Sequence, residues 1–185
     1  MRVSRRTACV VVACATLSCA VAASHSGPRW GVSTIQGRRE YQEDRFIAEE
    51  GLFAVFDGHG GALASETARR RFGEHFRRLH PARDSAAPDR WTEVFRATEE
   101  SYRSESRGVP DSAGSKRGEG REGSTACAAY VSPSRLMSVA NAGDSRCVVC
   151  LKNGQAKAMV RQRFCHFFFF FFFFAHFCFV FLLVC

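Results

Sequence analysis

Phe53-Ala54-Val55-Phe56-Asp57-Gly58-His59-Gly60-Gly61 is the stretch that organises this 185-residue chain. An apolar run ends abruptly in an acidic, glycine-rich turn. The run reads as a short buried strand, and the glycines let the backbone double back tightly. Just upstream, Arg45 to Glu49 and Leu52 to Phe56 are two strand candidates with Gly51 between them, a hairpin signal. Trp30 to Gln36 alternates weakly and opens as a further strand. Downstream, Ala64, Ala68, Phe72, Phe76 and Leu79 recur every three or four residues, so a helix follows the turn. Arg69, Arg70, Arg71, Arg77 and Arg78 fall mostly on its other side, which is expected to be a solvated face rather than a phosphate-binding one. Trp91, Val94, Phe95, Thr98 and Tyr102 predict a second amphipathic helix, capped near Asp89. Gly108 to Gly123 is Gly, Ser and charge without apolar period, and is expected to be a mobile surface loop. Three more strand-like runs follow: Thr125 to Val131, Leu136 to Ala142 and Arg146 to Leu151. Strands, then two helices, then strands predict an α+β fold with antiparallel sheet.

The composition is three unlike pieces. All 18 acidic residues and 23 of the 26 basic ones lie between Gly27 and Arg163, a mild excess that predicts no nucleic-acid partner. An apolar content of 46% excludes disorder of the whole chain. The lack of a sustained period excludes collagen, coiled coil and repeat arrays. Met1 to Ala23 reads as a secretory signal peptide: Arg2, Arg5 and Arg6, then apolar and small residues, then Ala20-Val21-Ala22-Ala23 as a cleavage site. It predicts entry into the secretory route. Residues 27–160 form the expected domain. Phe164 to Cys185 is an uncharged tail with eight consecutive phenylalanines, Phe167 to Phe174. Its 22 residues are long enough to cross a bilayer, which gives the chain a membrane reading. The homopolymer equally suggests one repeated codon, translated from sequence that does not normally encode protein. Cys127, Cys147 and Cys150 are too few for a disulfide framework and read as small buried hydrophobes.

Acidic residues punctuate the strands at Glu43-Asp44, Asp57 and Asp144. Carboxylates that converge repel one another unless a cation sits between them, and oxygen-only ligands favour Mg²⁺ or Mn²⁺. Taken singly, each Asp reads as a turn residue bonding its own backbone. Together they do not. Gln36-Gly37-Arg38-Arg39-Glu40-Tyr41-Gln42-Glu43-Asp44, the Phe53 to Gly61 stretch, Gly123-Ser124-Thr125-Ala126 and Val139-Ala140-Asn141-Ala142-Gly143-Asp144-Ser145-Arg146 stand in one order. These four blocks resemble the metal-dependent Ser/Thr protein phosphatases of type 2C, the PPM family.

The resemblance implies a β-sandwich of two antiparallel sheets flanked by helices, with a two-metal centre at one end. It implies that Asp57 bridges two ions, Mg²⁺ or Mn²⁺, that Gly58 offers its carbonyl, and that Glu43 and Asp44 support the centre, Glu43 largely through water. Asp144 would serve a third, weaker ion. Arg39 would bind the phosphate, its planar fork matching two oxygens. His59 would protonate the leaving seryl or threonyl oxygen. The substrates implied are phosphoproteins, the enzyme is expected to be a monomer, and no Cys-x5-Arg nucleophile loop is present. Family domains are roughly twice as long, and no Asp or Glu follows Asp144 here. As it stands, the sequence is therefore expected to be inactive, poorly folded and C-terminally truncated. The alternative is a non-catalytic relative that binds phosphoproteins, tethered to a membrane by the tail.

Overall fold

A computed structural model of the chain describes residues 8–14, 29–36, 38–49, 51–79, 88–107, 122–133, 137–150, 155–159 and 181–184. The elements in chain order are strands β1 (Ala8–Cys14), β2 (Arg29–Ile35), β3 (Arg45–Glu49), β4 (Leu52–Phe56) and β5 (Gly58–His59). Helices α1 (Leu63–Leu79) and α2 (Pro88–Ser106) come next. Strands β6 (Gly123–Ser124), β7 (Ala126–Val131), β8 (Met137–Ala142), β9 (Arg146–Cys150), β10 (Ala156–Ala158) and β11 (Phe181–Val184) complete the set. The α+β expectation holds.

The four-stranded sheet runs β3-β4-β7-β8 and is antiparallel throughout. Its hairpin turns at Gly51, whose φ of 81° suits glycine, and where a Cβ would stand 2.5 Å from the Val131 carbonyl oxygen. Because side chains alternate across a strand, the sheet has two apolar faces. Phe53, Val55, Cys127 and Ala129 face the second sheet, with Val32 and Cys147 among the residues packed there. Leu52, Ala54, Phe56, Ala128 and Tyr130 face the helices. Both faces are covered, which is why Leu52 to Phe56 is buried at every position and does not alternate in the sequence.

Helices α1 and α2 lie together on the outer face. Phe72 is the hub. Its ring centroid is 5.6 Å from Phe56, 5.3 Å from Phe95 and 6.3 Å from Trp91, separations at which aromatic pairs attract. The arginine run on α1 is paired with acidic side chains. Arg70 and Arg71 both pair with Glu105 of α2, Arg69 with Glu66, and Arg77 with Glu49 of β3. Arg70, Arg71 and Arg77 thereby tack α1 to α2 and β3. α2 begins at Pro88, so Asp89 falls inside the helix instead of before it. Proline has no N–H to leave unbonded at the first helical position and its φ is already helical.

The second sheet runs β10-β9-β11-β1-β2. Its pairings are antiparallel except around β11, which is parallel to both β9 and β1. The structure places Ala8–Cys14, from the segment read as a leader, as a strand against Arg29–Ile35; a run centred on Val10-Val11-Val12 suits one. Phe181–Val184, from the apolar tail, is a strand as well, while Phe167 to Phe174 lies outside the described residues, as does most of the Gly108 to Gly123 loop. Among the described residues, no helix is long and apolar enough to cross a membrane.

Candidate active site

The site lies where β4 ends. Asp57 follows the strand directly, and Gly58–His59 leaves it to pair with Gly123–Ser124. That two-residue ladder fixes the turn. The backbone N–H of Asp57 donates to Thr125 Oγ1 at 3.1 Å, and the Thr125 N–H donates to the Asp57 carbonyl at 2.9 Å. At Gly58 a Cβ would stand 2.6 Å from the Glu43 carbonyl oxygen and 2.8 Å from Ser65 Oγ. Only glycine lets these backbones approach so closely. The Asp144 turn joins through Ser145, whose Oγ is 2.6 Å from Thr125 Oγ1 with both residues buried. Gly143 holds a φ of 98°, and a Cβ there would meet the Thr125 methyl at 2.8 Å.

The loop before β3 brings the other acids. Glu43 and Asp44 are each 7% exposed. Glu43 spends its carboxylate on protein: Oε2 pairs with Arg39 at 3.1 Å and Oε1 accepts from the Gly61 N–H at 2.8 Å. Its carbonyl accepts a short 2.5 Å bond from Ser65 Oγ. Arg45 reaches back to the carbonyls of Gln42 and Asp44 at 2.8 and 2.9 Å while its Nε pairs with Glu66 at 2.7 Å. The first turns of α1 therefore shape the acidic loop.

Asp44 behaves differently. Burial raises its pKa, an effect opposed by a hydrogen bond with Asp57 and by the charge of Arg39. Its Oδ2 is buried with no hydrogen-bond partner among the described residues. Two carboxyl groups bond each other only if one keeps a proton, and a cation between them would replace that proton. The orphaned oxygen, the Asp44–Asp57 contact and the glycine-lined approach fit a hard divalent cation with oxygen ligands. The fit is partial. Among the described residues, no three His, Cys, Asp or Glu side chains converge as a ligand group. Glu43 supports the site through Arg39 and Gly61, and Asp144 stands on the neighbouring turn.

His59 is exposed at its surface yet crowded by its surroundings, and that partial desolvation lowers its pKa. The nearby charges of Glu43, Asp144 and Glu122 act the other way. Arg39, His59, Glu43, Asp44, Asp57, Gly58 and Asp144 thus gather at one end of the four-stranded sheet. Glu122 was not singled out from the sequence. Its carboxylate accepts the N–H of Leu63 at 2.5 Å, capping α1 from 59 positions away. Nothing local marks that residue, which sits at the rim of the Gly108 to Gly123 loop. Thr125 and Ser145 were visible as members of the ordered blocks, but without a role.

The protein phosphatase 2C family model matches residues 29–163. The chain belongs to the protein phosphatase 2C family. It is 36% identical over 137 residues to a probable protein phosphatase 2C 11 of Arabidopsis thaliana, covering 69% of this chain and 33% of that protein. It is 31% identical over 147 residues to protein phosphatase 1B of Mus musculus, covering 70% and 36%. The crystal structure of the Mycobacterium tuberculosis serine/threonine phosphatase PstP/Ppp matches with a TM-score of 0.51 and 22% identity, over 66% of this chain and 49% of that one. That likeness is one of fold: PPM-type antiparallel sheets with helices. The chain spans about a third of the length of the curated 2C relatives it matches.

Proposed function

We propose that this chain carries part of the active centre of a metal-dependent protein phosphatase acting on phosphoserine and phosphothreonine. The observation that carries the reading is buried Asp44, set against half-buried Asp57 and with its Oδ2 unpartnered among the described residues. Asp44, Asp57 and the Gly58 carbonyl would hold the metal, with Glu43 behind them and Asp144 at the margin. Mg²⁺ or Mn²⁺, when bound as a pair, supplies the positive charge that acidifies water and neutralises phosphate. The remaining roles belong to side chains. Arg39 turns its guanidinium from Glu43 to two phosphate oxygens, a bidentate match. Glu43 keeps that fork oriented and pins the Gly61 turn. His59 delivers a proton from its ring to the departing seryl or threonyl oxygen. With only two carboxylates converging among the described residues, turnover by this chain is expected to be slow.

A second reading is favoured by that same sparse ligand set: a non-catalytic fold that holds phosphoproteins through Arg39. The deciding experiment adds Mn²⁺ and a phosphothreonine peptide to the full chain and follows binding and phosphate release together. Release that needs Mn²⁺ and disappears in Asp57→Asn supports the enzyme. Peptide binding that depends on Arg39 without release supports the second reading. A chain that binds neither Mn²⁺ nor peptide removes both. Phosphoproteins as partners, a monomeric state and passage through the secretory route belong to the same proposal. N-terminal sequencing of the expressed protein tests the last of these, cleavage near Ala23 being the supporting result.

A further inference from the structure

Thr125 ties together three stretches of the chain at the site. It grips Asp57 by both backbone groups, accepting the N–H at its hydroxyl and donating its own N–H to the carbonyl. Its hydroxyl also meets Ser145 Oγ at 2.6 Å, and its methyl lies where a Cβ on Gly143 would stand. Both hydroxyls are buried, at residues 8% and 2% exposed. Water does not compete for them, so the bonds are directional and costly to break. Asp57 and Thr125 are 68 positions apart, and Thr125 and Ser145 are 20 apart. Three distant stretches meet at one oxygen atom. One stretch ends in Asp57, and another presents Asp144 immediately before Ser145.

We propose that the Thr125–Ser145 hydroxyl pair is a positioning device that locks the Asp57 backbone to the Asp144 turn and so sets the spacing of the two acidic groups. It rests on the phosphatase reading, because spacing matters only if those acids serve a common centre. The pair touches no substrate in this scheme. It acts through Asp57, as outer-shell hydrogen bonds do when they orient metal ligands.

The test uses the full chain and the variants Ser145→Ala, Thr125→Val and Thr125→Ser. Thr125→Val keeps the shape and removes the hydroxyl; Thr125→Ser keeps the hydroxyl. Two readouts are taken: amide hydrogen exchange at Asp57, and Mn²⁺ affinity by titration. Exchange at Asp57 is expected to quicken about tenfold in Ser145→Ala and in Thr125→Val, as the loss of one buried bond would cause. Mn²⁺ binding is expected to weaken about tenfold in both and to recover to within about threefold of wild type in Thr125→Ser. A bond that only stabilises the fold would lower the melting temperature and leave Mn²⁺ affinity alone, and that result overturns the proposal. Unchanged exchange at Asp57 in folded Ser145→Ala overturns it as well. If Thr125→Val does not fold, Ser145→Ala decides, since it retains Thr125. If the wild-type chain binds no Mn²⁺, the phosphatase reading falls, and exchange at Asp57 still judges whether the two turns are coupled.

Discussion

The four-stranded sheet draws its strands from Arg45 to Ala142 and pairs them all antiparallel. The five-stranded sheet draws on chain from Ala8 to Val184, and two of its three inner strands, β1 and β11, lie outside residues 29–163, the part matched to the family. The first sheet pairs β3 with β4 and β7 with β8 as neighbours in sequence, and joins β4 to β7 across the two helices. It is packed on both faces and carries Asp57 at the end of a central strand. The second must close very long loops before its inner strands meet, and loop closure costs entropy before any contact repays it. The site is therefore seated on the sheet whose strands all lie within the family match.

The sharpest way to break this comparison is to empty the core of the first sheet. Phe72 is fully buried against three aromatic rings, and Phe72→Ala is expected to cost about 3–5 kcal/mol in urea unfolding. A loss under about 1 kcal/mol would mean that the helix layer does not carry the fold. Gly58→Ala comes next. The added methyl meets the Glu43 carbonyl and Ser65 Oγ, and overpacking of this kind costs about 1–3 kcal/mol. Full stability in that variant would show that the approach of the two loops is looser than the structure has it. Cys147, contributed to the inter-sheet core by β9, gives the contrasting case. Cys147→Ala is expected to lose about 1 kcal/mol, well below Phe72→Ala; equal losses would erase the difference between the sheets.

The smallest effect is electrostatic. Hydrogen bonds from Arg69, and then from Arg45, hold Glu66 below the usual carboxylate range against a modest burial penalty. A carboxylate whose pKa falls on folding stabilises above its unfolded value of 4.5 and loses that contribution as pH drops through the lower folded value. Glu66→Gln should cost less than about 1 kcal/mol near neutrality, since the pair is partly exposed. The gap between variant and wild type should narrow in acid. A gap that widens as pH falls would contradict the pairing.

Much of the first sheet was legible in the sequence. Gly51 announced its hairpin, and the period of Ala64, Ala68, Phe72 and Phe76 announced the helix that covers it. The acidic residues could be grouped because four ordered blocks carried them. What stayed hidden was long-range. Glu122 capping Leu63, and Arg45 bridging Glu66 to two loop carbonyls, depend on groups brought together only by the finished fold. The tiny β5–β6 ladder is too short to leave a periodic trace. Ala8–Cys14 pairs with Arg29–Ile35 as a strand, a pairing that its composition does not announce, because a small apolar run suits a leader and a strand alike.

The inter-sheet core has a practical consequence through its two thiols. Cys127 and Cys147 are both fully buried, and burial raises both pKa values, that of Cys147 to about 11. The thiolate is the form that attacks an alkylating reagent, so neither sulfur is expected to react while the sheets stay together. Each becomes a clock that starts only when the sandwich parts. Mass spectrometry of the two labelled peptides, against time in iodoacetamide, would read the lifetime of the closed core without denaturant.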